Sequence, residues 1–427
     1  KHDEDAFTQG LFFMGNTLVE STGLRGKSDI RLVDYNNYNI LSRVNLEKKY
    51  FGEGTAVWQD KIFQLTWESQ TALEYDKELN SRWSVSSRLY YDNKKALAEF
   101  AGTSEHNIYL VPNTTIGINH ILHNMDDSEK QWLTTNHGYG ACLHAFNKIG
   151  ERKGNEITKV NIPFPLHDES QILEAIQDSI GPRTSIAMID YISSATGIIF
   201  PIKKIIELLH SKGIRVIVDA AHAPGMVDFV LDELGADYFV ANCHKWICSP
   251  KGSAFVYVHP KHQKEYKPVF YSFYNDWDTD REAHWSNQFI WEGTKDYSAY
   301  LCIKDALEYL PSIVSGGWAE IKQRNKSLAL EGATLLAEKL EVDLPVPKSM
   351  LGNIVTIPLW DDKIPSISFN YYTEVKNILY DQYKIEVPCF FFPQAPKQYF
   401  RISAQLYNSI EQYAYLADSL LKIRDEN

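Results

Sequence analysis

Up to about residue 80 the apolar positions come in short runs: TLVEST, DIRLVDY, YNILSRVNL, AVWQDKIFQLTW and TALEYD. Turn residues in GNT, GLRGKS, NNYN and WQDK separate them. Short β-rich runs punctuated in this way predict antiparallel strands in the rhythm of a meander or a propeller blade. From about Arg88 the period changes. The helix-like LYYDNKKALAEFA leads to a strand, NIYLVP, then a helix, TTIGINHILHNM, a strand, QWLTTN, and a helix, GACLHAFNKIG. ITKVNI, SQILEAIQDSI, TSIAMIDYI, IKKIIELLHSKG, RVIVDAA, ADYFVANC and GSAFVYV continue the alternation. Strands alternating with helices predict a mostly parallel sheet covered by helices on both faces.

After about residue 310 the pattern turns α+β, with NIVTIPL, TEVKNILYDQY, QYFRIS and SIEQYAYLADSLLKI. The expected fold class is therefore α/β, preceded by a short all-β fragment and followed by a small α+β domain. The expected boundaries are 1–80, 85–310 and 311–427. No internal repeat or low-complexity linker interrupts them.

Composition narrows the function. At 427 residues the chain is long enough for more than one core. Its net charge of −12 argues against a nucleic-acid partner, which wants a basic surface. No apolar run reaches the roughly 18 residues that span a bilayer. Cys142, Cys243, Cys248, Cys302 and Cys389 are scattered and lack CxxC spacing, so neither a disulfide framework nor a zinc site is read from them. A reducing, cytoplasmic setting is expected, although a start at Lys1 leaves room for a removed leader.

The candidate chemistry lies at strand ends, where open α/β sheets bind ligands. Asp219 closes the apolar run RVIVD, and a buried carboxylate there needs a cationic partner. Lys245 follows the next strand in ANCHKWICSPKG, among His, Trp, Cys and Pro, where an ammonium is poorly hydrated. Asn113, Thr114 and Thr115 stand between a strand and a helix, at a helix start whose N–H groups suit a phosphate. His137 and Tyr139 lie past another strand; His137 reads as structural.

Together these residues resemble the pyridoxal-phosphate enzymes of the class V aminotransferase family, in the branch of isopenicillin N epimerases and cysteine-desulfurase-like lyases. VPNTTIGINHIL, TTNHGYGA, DYISSATGIIFPI, VIVDAAHAPG, NCHKWICSPKG, FIWEGTKDYSAYL and FRISAQLYN carry the resemblance in family order from about 85 to 427. It implies fold type I, with a seven-stranded, mostly parallel sheet in the large domain, and pyridoxal 5'-phosphate as cofactor. By resemblance Lys245 bonds the cofactor aldehyde and moves protons at Cα, and Asp219 pairs with the pyridinium nitrogen. Tyr139 stacks on the ring, where related desulfurases use a His. Thr114, Thr115, Asn242 and His244 hold the phosphate. Ser194 sits near the phenolic oxygen and His222 beside the ring or substrate. Thr294 reaches the phosphate of a neighbouring subunit, which implies a homodimer, and Arg401 clamps the substrate carboxylate. The implied substrate is a small molecule, an amino acid, and the reaction an epimerisation, a C–S lysis or desulfuration, or a transamination. No cysteine lies in an obvious persulfide-carrying loop, which favours a lyase or epimerase over desulfuration.

AFTQGL, ESTGLRGKSDIRLVD, YFGEGTAVW and IFQLTW resemble instead the glutaminyl-peptide cyclotransferases, five-bladed propellers that form pyroglutamate. Glu53 would be their catalytic carboxylate, with Phe7, Gln9 and Trp67 lining the pocket. The match covers about the first third of that fold. The segment of Asn-His-Gly type that opens class V enzymes is not found before residue 85. Two alternatives to the amino-acid enzyme follow: a cyclase acting through Glu53, and a fusion that binds cofactor without turnover.

Overall fold

The structure, a computed structural model, describes residues 6–58, 61–67, 72–75, 82–85, 88–272, 285–293, 295–360, 373–394 and 396–426. The chain forms two compact units, 1–93 and 94–427.

The first unit holds two four-stranded antiparallel meanders. One is β1 (Thr8–Met14), β2 (Thr17–Thr22), β3 (Asp29–Asp34) and β4 (Ile40–Asn45). The other is β5 (Phe51–Trp58), β6 (Lys61–Trp67), β7 (Ala72–Tyr75) and β8 (Arg82–Val85). Val19, Ile30, Leu32, Ile62, Leu73 and Tyr75 form their shared core. Buried beside it, Asp29 receives Arg31 at 2.8 Å and Arg43 at 2.7 Å. Two guanidiniums on one carboxylate offset its desolvation.

The second unit is built on a seven-stranded sheet. Its strands in chain order are β9 (Ile108–Val111), β10 (Gln131–Thr135), β11 (Glu156–Val160), β12 (Thr184–Asp190), β13 (Arg215–Asp219), β14 (Tyr238–Asn242) and β15 (Ala254–Val258). Across the sheet they run β11-β10-β12-β13-β14-β15-β9. Pairing is parallel from β11 to β14 and antiparallel on both sides of β15. Val216, Ile217 and Val218 are fully buried, as expected of a strand covered on both faces. Each such side chain contributes roughly 1.5–3 kcal/mol over an exposed one. A smaller antiparallel sheet, β16 (Ile354–Pro358), β18 (Gln398–Ser403) and β17 (Cys389–Phe391), lies with the helices Gly317–Leu340 and Ile410–Glu426.

The helix Thr114–His123 packs on the sheet through Gly117. A Cβ there would come within 2.6 Å of Val240 Cγ1 and 2.9 Å of Val256 Cγ2, so β14 and β15 leave no room for a methyl group. Gly117→Ala is therefore expected to destabilise this unit by about 1–3 kcal/mol. Thermal or urea unfolding checks it, and an unchanged midpoint would contradict the packing described.

Candidate active site

Asp190 and Asp219 end β12 and β13 and are register partners, so two carboxylates stand side by side at the C-terminal edge of the sheet. Both are buried. Asp219 Oδ1 accepts the Ala221 N–H at 3.1 Å, while Oδ2 is buried without a hydrogen-bond donor. Burial pushes the Asp219 pKa up, against the Ala221 N–H, the Cys142 thiol and the Lys245 charge, which favour its ionised form. Asp190 is pushed up further, by burial and by Asp219 beside it, although it accepts the Tyr139 backbone N–H.

Lys245 follows β14 in a tight turn closed by Cys248 N–H to Lys245 O (3.2 Å) and Ser249 N–H to Cys243 O (3.2 Å). Its Nζ lies 2.9 Å from His222 Nε2. Burial lowers its pKa and the Arg401 charge adds to that, while Asp219, Cys142 and Asp190 oppose it. His222 comes from the loop after β13. That loop reaches the Lys245 turn because Gly225 (φ +82) has no side chain: a Cβ would stand 2.7 Å from Trp246 O. His222 is driven strongly toward the neutral form by burial, Lys245 and Arg401.

Thr114 opens its helix with a buried, unpartnered hydroxyl. Its N–H donates to Asn242 Oδ1 at 3.0 Å, so Asn242 organises the helix start through its side-chain oxygen. Thr115 bonds the Cys142 thiol, which also faces Asp219. His244 Nδ1 is buried without a partner, and burial lowers its pKa. Tyr139 precedes the helix Gly140–Arg152 with its side chain half exposed. Arg401 on β18 bonds Ser194 O through Nη1 and lies 3.3 Å from Ser194 Oγ. Thr294 lies outside the described residues. His137 is buried, with Nδ1 2.9 Å from Thr196 Oγ1 and Nε2 3.3 Å from Ile162 O; burial lowers its pKa to about 4.

Three neighbours of this centre were not read from the sequence. Asp190 ends an apolar strand just as Asp219 does, a signal that could have found it. Trp246 is adjacent to Lys245. Cys142 gave no signal, because its place depends on how the helix after Tyr139 lies against β13.

In the first unit, Glu53 sits in an irregularity of β5, where the register with β6 slips between Gly52 and Thr55. Burial raises its pKa. The Phe51 ring meets Trp67 at 5.4 Å and Phe7 at 6.4 Å, and Gly23 faces both Phe51 and Gln9. These expected residues are therefore gathered near one another.

The arrangement around Lys245 suits a flat heteroaromatic aldehyde carrying a phosphate. Asp219 Oδ2 lacks a donor, the Thr114 hydroxyl at the helix start and the buried His244 Nδ1 lack partners, and Lys245 offers an amine. The residues thus fit pyridoxal phosphate. Among the described residues no cluster of three or more His, Cys, Asp or Glu could hold a metal, and no helix is long and apolar enough to cross a membrane. All five cysteines are free thiols.

Comparison with known proteins agrees with this geometry. The aminotransferase class-V sequence family matches residues 74–412, and the chain belongs to that family. Residues 1–91 match the glutamine cyclotransferase family. A probable chloroplastic L-cysteine desulfhydrase of Arabidopsis thaliana is 28% identical over 297 residues, 66% of this chain and 62% of the relative. The isopenicillin N epimerase of Streptomyces clavuligerus is 24% identical over 347 residues, 78% and 84% of the two chains. The chain thus spans a little under two thirds of the plant desulfhydrases it matches. The apo cysteine desulfurase of Thermococcus onnurineus NA1 shares the fold, with TM-score 0.65, 19% identity and coverage of 80% and 85%.

Asp190 gives a test of the buried charge. A carboxyl whose folded pKa is raised contributes most below its unfolded value, about 3.9, and loses stability as pH rises above it. Asn keeps an acceptor for the Tyr139 N–H and does not titrate. Asp190→Asn is expected to raise the melting temperature at pH 8, with the gain shrinking toward pH 4. A gain that is the same at both pH values, or a loss at pH 8, would contradict the assignment.

Proposed function

We propose that the chain is a pyridoxal-phosphate enzyme that removes the Cα proton of an amino acid, and that its reaction is cleavage of a C–S bond in a cysteine-like substrate. The observation that carries the reading is the Lys245 amine, held 2.9 Å from His222 Nε2 beside the Asp219 carboxylate in a chain of the class V family. The desulfhydrases among the relatives support the choice of substrate. The epimerase match, longer over both chains, supports a second reading, in which the same proton is returned to the opposite face.

Asp219 would hold the protonated ring nitrogen through its unsatisfied Oδ2. Thr114, Thr115, His244 and the N–H groups of the helix start would hold the phosphate, with Asn242 fixing the first of these. The half-exposed Tyr139 ring would cover the cofactor face, and Ser194 and His222 would lie along its edge. When bound, the cofactor accepts the electron pair left on Cα as the proton departs. Lys245, held toward the free amine, takes that proton and can return one. Arg401, fixed by Ser194, is placed to bind the substrate carboxylate with its planar fork. The reading carries with it a homodimer in which Thr294 serves the neighbouring subunit, and a cytoplasmic setting.

Pyridoxal phosphate added to the purified protein is expected to give a visible absorption band that borohydride bleaches while fixing the cofactor mass to the chain. Lys245→Ala should lose this fixation and lower turnover on the order of 10²–10⁴-fold. Sulfide release from cysteine supports lysis, whereas Cα deuterium exchange with inversion and no sulfide supports epimerisation. A chain that never takes up the cofactor would sink both readings and direct attention to Glu53 and pyroglutamate formation.

A further inference from the structure

The residue next to Lys245 in sequence also meets it in space, through His222. Trp246 is almost fully buried, packed with Ile192, Met226 and Ile354. Its indole Nε1 lies 3.2 Å from His222 Nδ1. An indole N–H is only ever a donor, so Nδ1 is the nitrogen that carries the lone pair. A neutral imidazole then bears its single proton on Nε2. That nitrogen faces Lys245 Nζ at 2.9 Å. An N–H pointing at an ammonium meets no acceptor; an N–H pointing at a free amine meets a lone pair.

We propose that Trp246 is a positioning residue that fixes the Nε2–H tautomer of His222, and that this tautomer holds Lys245 as a free amine. The consequence for catalysis rests on the function proposed above; the tautomer itself does not. The charged and titratable groups facing Lys245 are Asp219, Arg401, Cys142 and Asp190, with His222 and His244 beside it, and those acting on His222 are Lys245 and Arg401. The two carboxylates favour the ammonium. The His222 N–H and the Arg401 charge favour the amine, and so does burial. Without the indole donor His222 is free to place its proton on Nδ1. Nε2 then accepts from an ammonium, and the balance moves toward protonated Lys245.

Two measurements test this. The first is on the wild-type full chain without cofactor: the imidazole 15N shifts of His222, assigned by comparison with His222→Gln. A protonated Nε2 and an unprotonated Nδ1 through neutral pH are expected; a protonated Nδ1 overturns the proposal. The second uses Trp246→Phe, which keeps a ring in the cluster and removes only the donor. With pyridoxal phosphate as probe and borohydride as trap, the pH midpoint of covalent capture should rise by about one unit, near neutrality an approximately tenfold slower capture, with rates recovering at high pH. An unchanged midpoint in a folded Trp246→Phe protein overturns the proposal. A purely structural role would slow capture by the same factor at every pH, and that also counts against it. If the variant does not fold, the wild-type shifts still decide. If the wild type captures no cofactor at any pH, the proposed function fails while the tautomer remains readable.

Discussion

One constraint organises the second unit: two carboxylates and an amine are taken out of water at the same edge of one sheet. Asp190 and Asp219 are register partners in parallel strands, so their proximity follows from the backbone and cannot be relieved by a rotamer change alone. A full negative charge on each would be costly at that depth. The Ala221 and Tyr139 N–H groups and the Cys142 thiol offset part of that cost, and Lys245 is drawn toward the pair. A cationic ring nitrogen placed against Asp219 would relieve the same strain. The electrostatics that make this edge expensive are therefore those that would favour such a ligand.

The reversal of β15 serves this edge. After β14 the chain makes its tight turn at Lys245 and returns antiparallel, so the turn is fixed on both sides by strands of the same sheet. A lysine on a long loop would have many ways to escape toward solvent. Here its backbone is bonded to Cys248, and His244 before it to Ser253, which leaves only the side chain to choose a partner. The loop after β13 closes down on this turn through Gly225, and β18 brings Arg401 against Ser194 from a separate sheet. Four pieces of chain distant in sequence thus meet because strands end at the same level.

Much of this was legible beforehand. The switch from short β-rich runs to alternating strands and helices near Arg88 foretold a meander or propeller blade and then an α/β sheet; the structure has two antiparallel four-stranded sheets and then the seven-stranded one. Strand-end residues such as Asp219, and Lys245 after the next strand, could be named because apolar runs announce where a strand stops. The reversal of β15 could not, since a fully buried strand reads the same in either direction. Nor could the partnership of Trp246 with His222: the helix period and the strand period say nothing of a contact across two loops. Asn242 was expected at the phosphate; its side-chain oxygen accepts the Thr114 N–H at the helix start, a detail set by the side-chain rotamer and invisible in spacing.

The two family matches overlap over residues 74–91. β7 pairs with β6 and β8 with β7, so strand residues of an antiparallel meander fall within the class V match, and the helix Arg88–Ala101 begins there too. The chemistry is unaffected by that assignment. Thr114, Cys142, Asp190, Ser194, Asp219, His222, Lys245 and Arg401 all belong to the unit 94–427, and the hydrogen bonds described among them need no residue before it. Asp219, Arg401, Cys142 and Asp190, the groups whose charges act on Lys245, all lie within the α/β unit. An aldehyde bound at this lysine would therefore meet an amine whose charged neighbours all come from that unit's own sheet and loops.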